Sequence, residues 1–222
     1  MAQLSDDQRA VNVLAWSTLG LAGVCAAGGV LSILLSNRTL EYVTKPAVMV
    51  LLIVLALLIR PANDSERAFF VLALVLGLAG DVLLVLPSDL LIPGLAAFLI
   101  GHLAYIAGFR FGGFAFAGAI AGVVIVAVSA VLLVPRVVAA LESSSKGRLK
   151  RPVLAYVAVI SLMTVSATAS GSLVAAAGGL LFFFSDALFA WYRFVDPVRW
   201  GRPLNIVMYQ AGQALLVLSL AR

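Results

Sequence analysis

Apolar runs of about twenty residues recur along the chain, and that is the length an α-helix needs to cross the hydrocarbon core of a bilayer. Of its 222 residues, 63% are hydrophobic and only 11% are charged, with a mean hydropathy of +1.12. A soluble domain is about half apolar and about a quarter charged. The chain therefore reads as an all-α, integral, multi-pass membrane protein, one domain over residues 1–222 with no segment left for a soluble domain. The first run is too long for the core of a signal peptide and follows two acids, Asp6 and Asp7, so it is expected to be retained.

Cutting the runs at charges and at Pro/Gly punctuation predicts eight spans, at about 13–35, 41–59, 68–86, 90–109, 114–134, 152–170, 172–192 and 204–220. The clearest breaks are Arg60 to Arg67 and Glu142 to Arg151; the least marked is Ser170-Gly171-Ser172. The expected fold is an eight-transmembrane-helix bundle. Its Lys and Arg residues divide unevenly. Arg9, Arg60, Arg67, Arg110 and Arg222 fall on the amino-terminal side. Arg38, Lys45, Arg136, Lys146, Arg148, Lys150, Arg151, Arg193, Arg199 and Arg202 fall on the other. The positive-inside rule puts the second group in the cytoplasm and both termini outside. The net charge of +5 is thus explained by loops beside anionic headgroups, and no basic run carries the interleaved aromatics of a nucleic-acid surface.

The halves resemble each other. Lys45-Pro46 opens span two and Arg151-Pro152 opens span six, prolines that suit a first helical turn. Asp81 follows Lys45 by 36 residues and Asp186 follows Arg151 by 35. Gly101-His102 and Gly212-Gln213 occupy the next span of each half. This points to two four-helix parallel repeats. The lone Cys25 excludes an intrachain disulfide and reads as a packed apolar thiol.

Asp81 and Asp186 stand out because a carboxylate at a helix centre in lipid costs about 3 kcal/mol or more, so such residues normally face an interior cavity. At about 1.5 Å rise per residue, Lys45, Asp81, Tyr156, Asp186, Tyr209, Gln213 and His102 form a layer roughly 6–18 Å below the expected cytoplasmic face. That layer predicts a pocket open to this leaflet and floored by His102. An amphiphile fits it, with its headgroup against Lys45, Arg151 and the loop arginines. Simpler readings exist for each residue. Lys45 and Arg151 can snorkel to headgroups, Tyr156 and Tyr209 can belong to an interfacial belt, His102 can be a packing residue, and the aspartates can pair with Lys45. Gly77, Gly80, Gly178 and Gly179 suit close helix packing, and Phe182-Phe183-Phe184 reads as packing or lipid-facing surface with no role.

One His and one Cys cannot build the usual zinc set, no spacing supports a magnesium site, and there is no nucleophile elbow. No metal or cofactor is expected. Paired carboxylates in a low-dielectric site do suit acid/base hydrolysis through an oxocarbenium-like cation, one donating a proton and the other steering water.

Lys45-Pro46, Gly80-Asp81, the run from Ala97 to Tyr105, the run from Gly179 to Leu188, and Tyr209 with Gly212, Gln213 and Leu215 resemble the YhhN-like lysoplasmalogenase family, in order from about residue 40 to the carboxyl end. The resemblance implies eight spans and cleavage of the vinyl-ether bond of a lysoplasmalogen, giving a fatty aldehyde and glycerophosphoethanolamine or glycerophosphocholine. The implied catalytic set is Asp81, Asp186 and His102, with either aspartate as the acid. Lys45, Tyr105, Tyr156, Tyr209 and Gln213 would bind the substrate. The implied partners are a lysophospholipid and the surrounding membrane lipid. A proton-coupled or lipid transporter is the competing reading, since intramembrane acids and two-halves bundles also mark that class; a transporter should, however, offer polar residues from both sides. The Ala-, Gly- and Val-rich makeup is that of a GC-rich bacterial genome, which would place the chain in the cytoplasmic (plasma) membrane.

Overall fold

The structure, a computed structural model, describes residues 6–86, 90–144 and 146–221. Eight α-helices follow one another: α1 (Asp6–Leu34), α2 (Arg38–Leu58), α3 (Asp64–Val85), α4 (Leu91–Phe109), α5 (Phe116–Ser143), α6 (Lys150–Ala169), α7 (Leu173–Ala190) and α8 (Gly201–Leu218). A 3₁₀ turn, Gly147–Leu149, leads into α6, and a π-helical turn, Trp191–Val195, extends α7. No strand occurs among the described residues.

Seven of these helices, α1 to α7, are long and apolar enough to cross a membrane, and the chain is an integral multi-pass membrane protein. The eighth expected span does form a helix, but α8 carries Arg202, Asn205, Gln210 and Gln213 and falls short in apolarity. Large side chains such as Val13, Trp16, Val24, Phe114, Val131 and Leu173 stand on the outer surface, where only hydrocarbon could accept them in such density.

The helix ends follow from local chemistry. Asn37, Asn63 and Ser172 are N-caps whose side chains accept backbone N–H bonds from Leu40, from Ser65 and Glu66, and from Ala175. The least marked break in the sequence is a true turn, with Gly171 at φ +76, a left-handed conformation that glycine adopts without steric cost.

Several helices run past their expected limits, α1 starting at Asp6 and α3 at Asp64, and in α2 and α5 the overrun takes a proline inside. Pro46 lies well inside α2 rather than opening it, because Asn37 starts the helix two turns earlier. Helix α5 continues through Pro135 to Ser143. Val137 and Leu141, one turn apart, bury against Val153 of α6, and this packing outweighs the proline. Arg136 also donates to the Leu132 carbonyl just before it.

Helices pack in chain order, α1 on α2, α2 on α3 and α3 on α4, then α5 on α6, α6 on α7 and α7 on α8, with α4 also against α6 and α8 against α1 and α2. Small residues set the closest approaches. A Cβ on Gly178 would stand 2.9 Å from the Leu216 nitrogen and 3.0 Å from the Gly212 carbonyl oxygen, so α7 and α8 meet backbone to backbone. Gly80 accommodates the Phe98 ring between α3 and α4, and Gly179 the Ala167 methyl between α7 and α6.

Candidate active site

One end of the bundle opens into a cavity of about 620 Å³. Its lining comes from the starts of α2, α4, α6 and α8 and the ends of α3, α5 and α7, the end where the larger set of Lys and Arg residues lies. The lining is chemically mixed. Arg38, Glu41, Lys45, Arg193, Arg202 and Asn205 come from α2, α8 and the π turn. Leu95 of α4, Leu133 and Val137 of α5, and Val153, Val157 and Ile160 of α6 are apolar. Asp81 and Asp186 both line this cavity.

Each aspartate is held by a buried tyrosine. Tyr209 Oη donates to Asp81 Oδ2 at 2.8 Å, and Tyr156 Oη donates to Asp186 Oδ2. Behind Tyr209 the network continues to Gln213, whose Nε2 donates to Tyr209 Oη at 3.4 Å. Gln213 Oε1 accepts from Tyr105 Oη at 2.5 Å. Behind Tyr156 stands His102, with Nε2 3.0 Å from Tyr156 Oη and 3.8 Å from Asp186 Oδ2. Since the Tyr156 hydrogen goes to the aspartate, its oxygen accepts from His102 Nε2–H. Ser185 Oγ lies 3.5 Å from the second Asp186 oxygen. The Ser185 hydrogen goes to the Phe182 carbonyl at 2.7 Å, so each aspartate has one tyrosine as its side-chain donor.

Asp81, Asp186, Tyr156, Tyr209 and Lys45 therefore line one cavity, whereas His102, Tyr105 and Gln213 stand in the layer behind its lining. Tyr105 and His102 are each 1% exposed, so they reach the cavity only through the tyrosines and Gln213. Lys45 pairs with Glu41 at 3.0 Å. Arg151 is exposed and is not part of the lining.

The phenylalanine run divides. Phe182 is buried, its ring edge-to-face with both His102 (4.8 Å) and Tyr209 (5.1 Å). Phe183 lines the cavity, and only Phe184 faces outward. Phe182 is thus a packing residue, in contact with one ring of each hydrogen-bond chain.

Glu41 and Asn205 carry no expectation from the sequence, and neither does the partner of Arg202. Glu41 accepts from Arg202 at 3.1 and 3.2 Å across 161 residues of chain. Asn205 Nδ2 donates to the Ser185 carbonyl at 2.7 Å, tying α8 to α7 beside Asp186. The Glu41–Lys45 pair has a legible i, i+4 spacing, but Arg202 and Asn205 have no local signal. Among the described residues no group of three or more His, Cys, Asp or Glu side chains is gathered as a metal site.

Fold and cavity define a helical membrane protein with an acid-lined, amphipathic pocket. The YhhN family model matches residues 40–220, and the chain belongs to the YhhN family. Human lysoplasmalogenase TMEM86B is 32% identical to it over 151 residues, covering 68% of this chain and 62% of the human protein. The match thus spans less than two thirds of that relative's length. No solved structure matches the chain.

Proposed function

We propose that the protein is a lysoplasmalogenase-type ether hydrolase, cleaving the vinyl-ether bond of a lysophospholipid at Asp81 and Asp186. The observation that carries this reading is the cavity itself. Two carboxylates, each oriented by a buried tyrosine, line a pocket with both charged and apolar residues in its wall. A lysolipid matches that combination, with its headgroup at the cationic residues and its chain along the apolar ones of α4, α5 and α6. The similarity to human lysoplasmalogenase TMEM86B supports the same reaction class.

The reaction begins with a proton moved to the alkene carbon remote from the ether oxygen. The resulting oxocarbenium ion is attacked by water at the carbon bonded to that oxygen, and the hemiacetal collapses to aldehyde and glycerol alcohol, one water being consumed. Asp81 is the proton donor: Tyr209 holds one of its oxygens and the other is left to carry the hydrogen into the cavity. Asp186 stabilises the cation and takes the proton from water. Tyr156 orients its carboxylate, and His102 behind Tyr156 holds that hydroxyl in place. Tyr105 and Gln213 are positioning residues. With Gln213 Oε1 occupied by Tyr105, its amide can only donate to Tyr209, which fixes the Tyr209 hydrogen on Asp81.

The polar lining enters from one end of the bundle, as a hydrolase drawing substrate from one leaflet requires. Purified protein supplied with a vinyl-ether lysophospholipid should release aldehyde. A folded preparation that releases none, but moves the lipid or protons across liposomes, would replace the hydrolase with the transporter.

A further inference from the structure

The acid/base chemistry leaves a charge cluster at the cavity mouth without a task. Glu41 is 8% exposed and accepts from Lys45 at 3.0 Å and from Arg202 at 3.1 and 3.2 Å. The Arg202 side chain is nevertheless 60% exposed and that of Lys45 21%. An ammonium has three N–H donors and a guanidinium five, so Glu41 uses only part of their capacity. Arg38 and Arg193 line the same mouth. An enclosed anion that fixes two cations side by side, with donors left over, prepares a site for a second anion from outside.

We propose that Lys45 and Arg202, held in place by Glu41, bind the phosphate of the substrate headgroup, with Glu41 as a positioning residue. This rests on reading the cavity as a lysophospholipid site. The depth agrees. Arg202 precedes Tyr209 by seven residues on α8, about 10 Å of helical rise, a distance that a glycerol phosphate and an extended arginine side chain cover together. The guanidinium offers a planar fork suited to phosphate oxygens.

The test uses three probes on detergent-purified protein. The first is a 1-O-alkyl lysophosphoethanolamine, whose saturated ether is not a vinyl ether; the second is the matching 1-O-alkylglycerol, which lacks the phosphate; the third is inorganic phosphate. Arg202→Gln, Lys45→Gln and Glu41→Gln should each weaken binding of the phospholipid about tenfold or more, the value of a charge-assisted hydrogen bond. Arg202→Lys should recover part of it, and alkylglycerol affinity should stay constant. Equal weakening of both lipids, or of neither, would overturn the assignment. So would inorganic phosphate binding as tightly as the lipid and depending on Arg202, since the site would then serve a free phosphate. None of the probes contains the vinyl ether, so the result stands whether or not the protein cleaves that bond.

Discussion

Tyr209 and Tyr156 each direct one hydroxyl hydrogen onto a carboxylate that lines the cavity. A hydrogen bond to a charged group contributes about 1.5–3 kcal/mol, and about 1.4 kcal/mol is tenfold in rate. Tyr209→Phe and Tyr156→Phe should therefore lower kcat by roughly 10- to 100-fold with little change in KM, as read from initial rates of aldehyde release. Tyr105→Phe acts one step back. It leaves the enclosed Gln213 Oε1 without its donor, at a cost of about 1–3 kcal/mol, so a lowered Tm in detergent should exceed its effect on KM. At this scale much was legible. An aspartate in an apolar run is conspicuous because lipid penalises it, so Asp81 and Asp186 stand out without any structure. Arg202 and Asn205 were not, since a polar residue near a helix start looks the same whether it meets headgroups or reaches Glu41 or Ser185.

Among the elements, the α7–α8 seam positions both halves of the site, Asp186 on one helix and Tyr209 and Gln213 on the other. Its closeness depends on Gly178 and Gly212, where a Cβ would press into opposing backbone at 2.9–3.0 Å. Gly178→Val should break the seam and cost both folded yield and activity. Gly20→Ala, where nothing lies within 4 Å, should be neutral or slightly stabilising, since glycine in a helix costs about 0.5–1 kcal/mol relative to alanine. Thermal melts and size-exclusion profiles of the two variants make the comparison. Span positions were legible because hydropathy reports the lipid requirement directly. The overrun of α5 through Pro135 was not, because it depends on Val137 and Leu141 finding Val153 on another helix. The π-helical turn after α7 was equally hidden; its Asp196 N–H bonds the Trp191 carbonyl, and the turn brings Tyr192, Arg193 and Phe194 to the cavity. Such turns often mark functional sites.

The molecule as a whole is polarised, with its cavity, charge cluster and aspartates toward one end. From the distribution of Lys and Arg we propose that this end faces the cytoplasm. In a Cys25→Ser background, Ser144→Cys, at the exposed end of α5, should react with a membrane-impermeant maleimide only after the cells are opened, whereas Ala62→Cys, in the α2–α3 loop, should react from outside. The reverse pattern would place the mouth on the outer face. Composition made the membrane class plain, but the amphipathic cavity arises from residues on seven helices and has no counterpart in any local stretch of sequence.

The central claim is that a carboxyl in this cavity protonates a vinyl carbon. Turnover of a vinyl-ether lysophospholipid in D₂O, with the aldehyde trapped at once and weighed by mass spectrometry, tests it most directly. Protonation by the enzyme should leave one deuterium on the carbon next to the carbonyl, and that product should be lost in folded Asp81→Asn and Asp186→Asn. Aldehyde without deuterium, or full turnover by both variants, would contradict it.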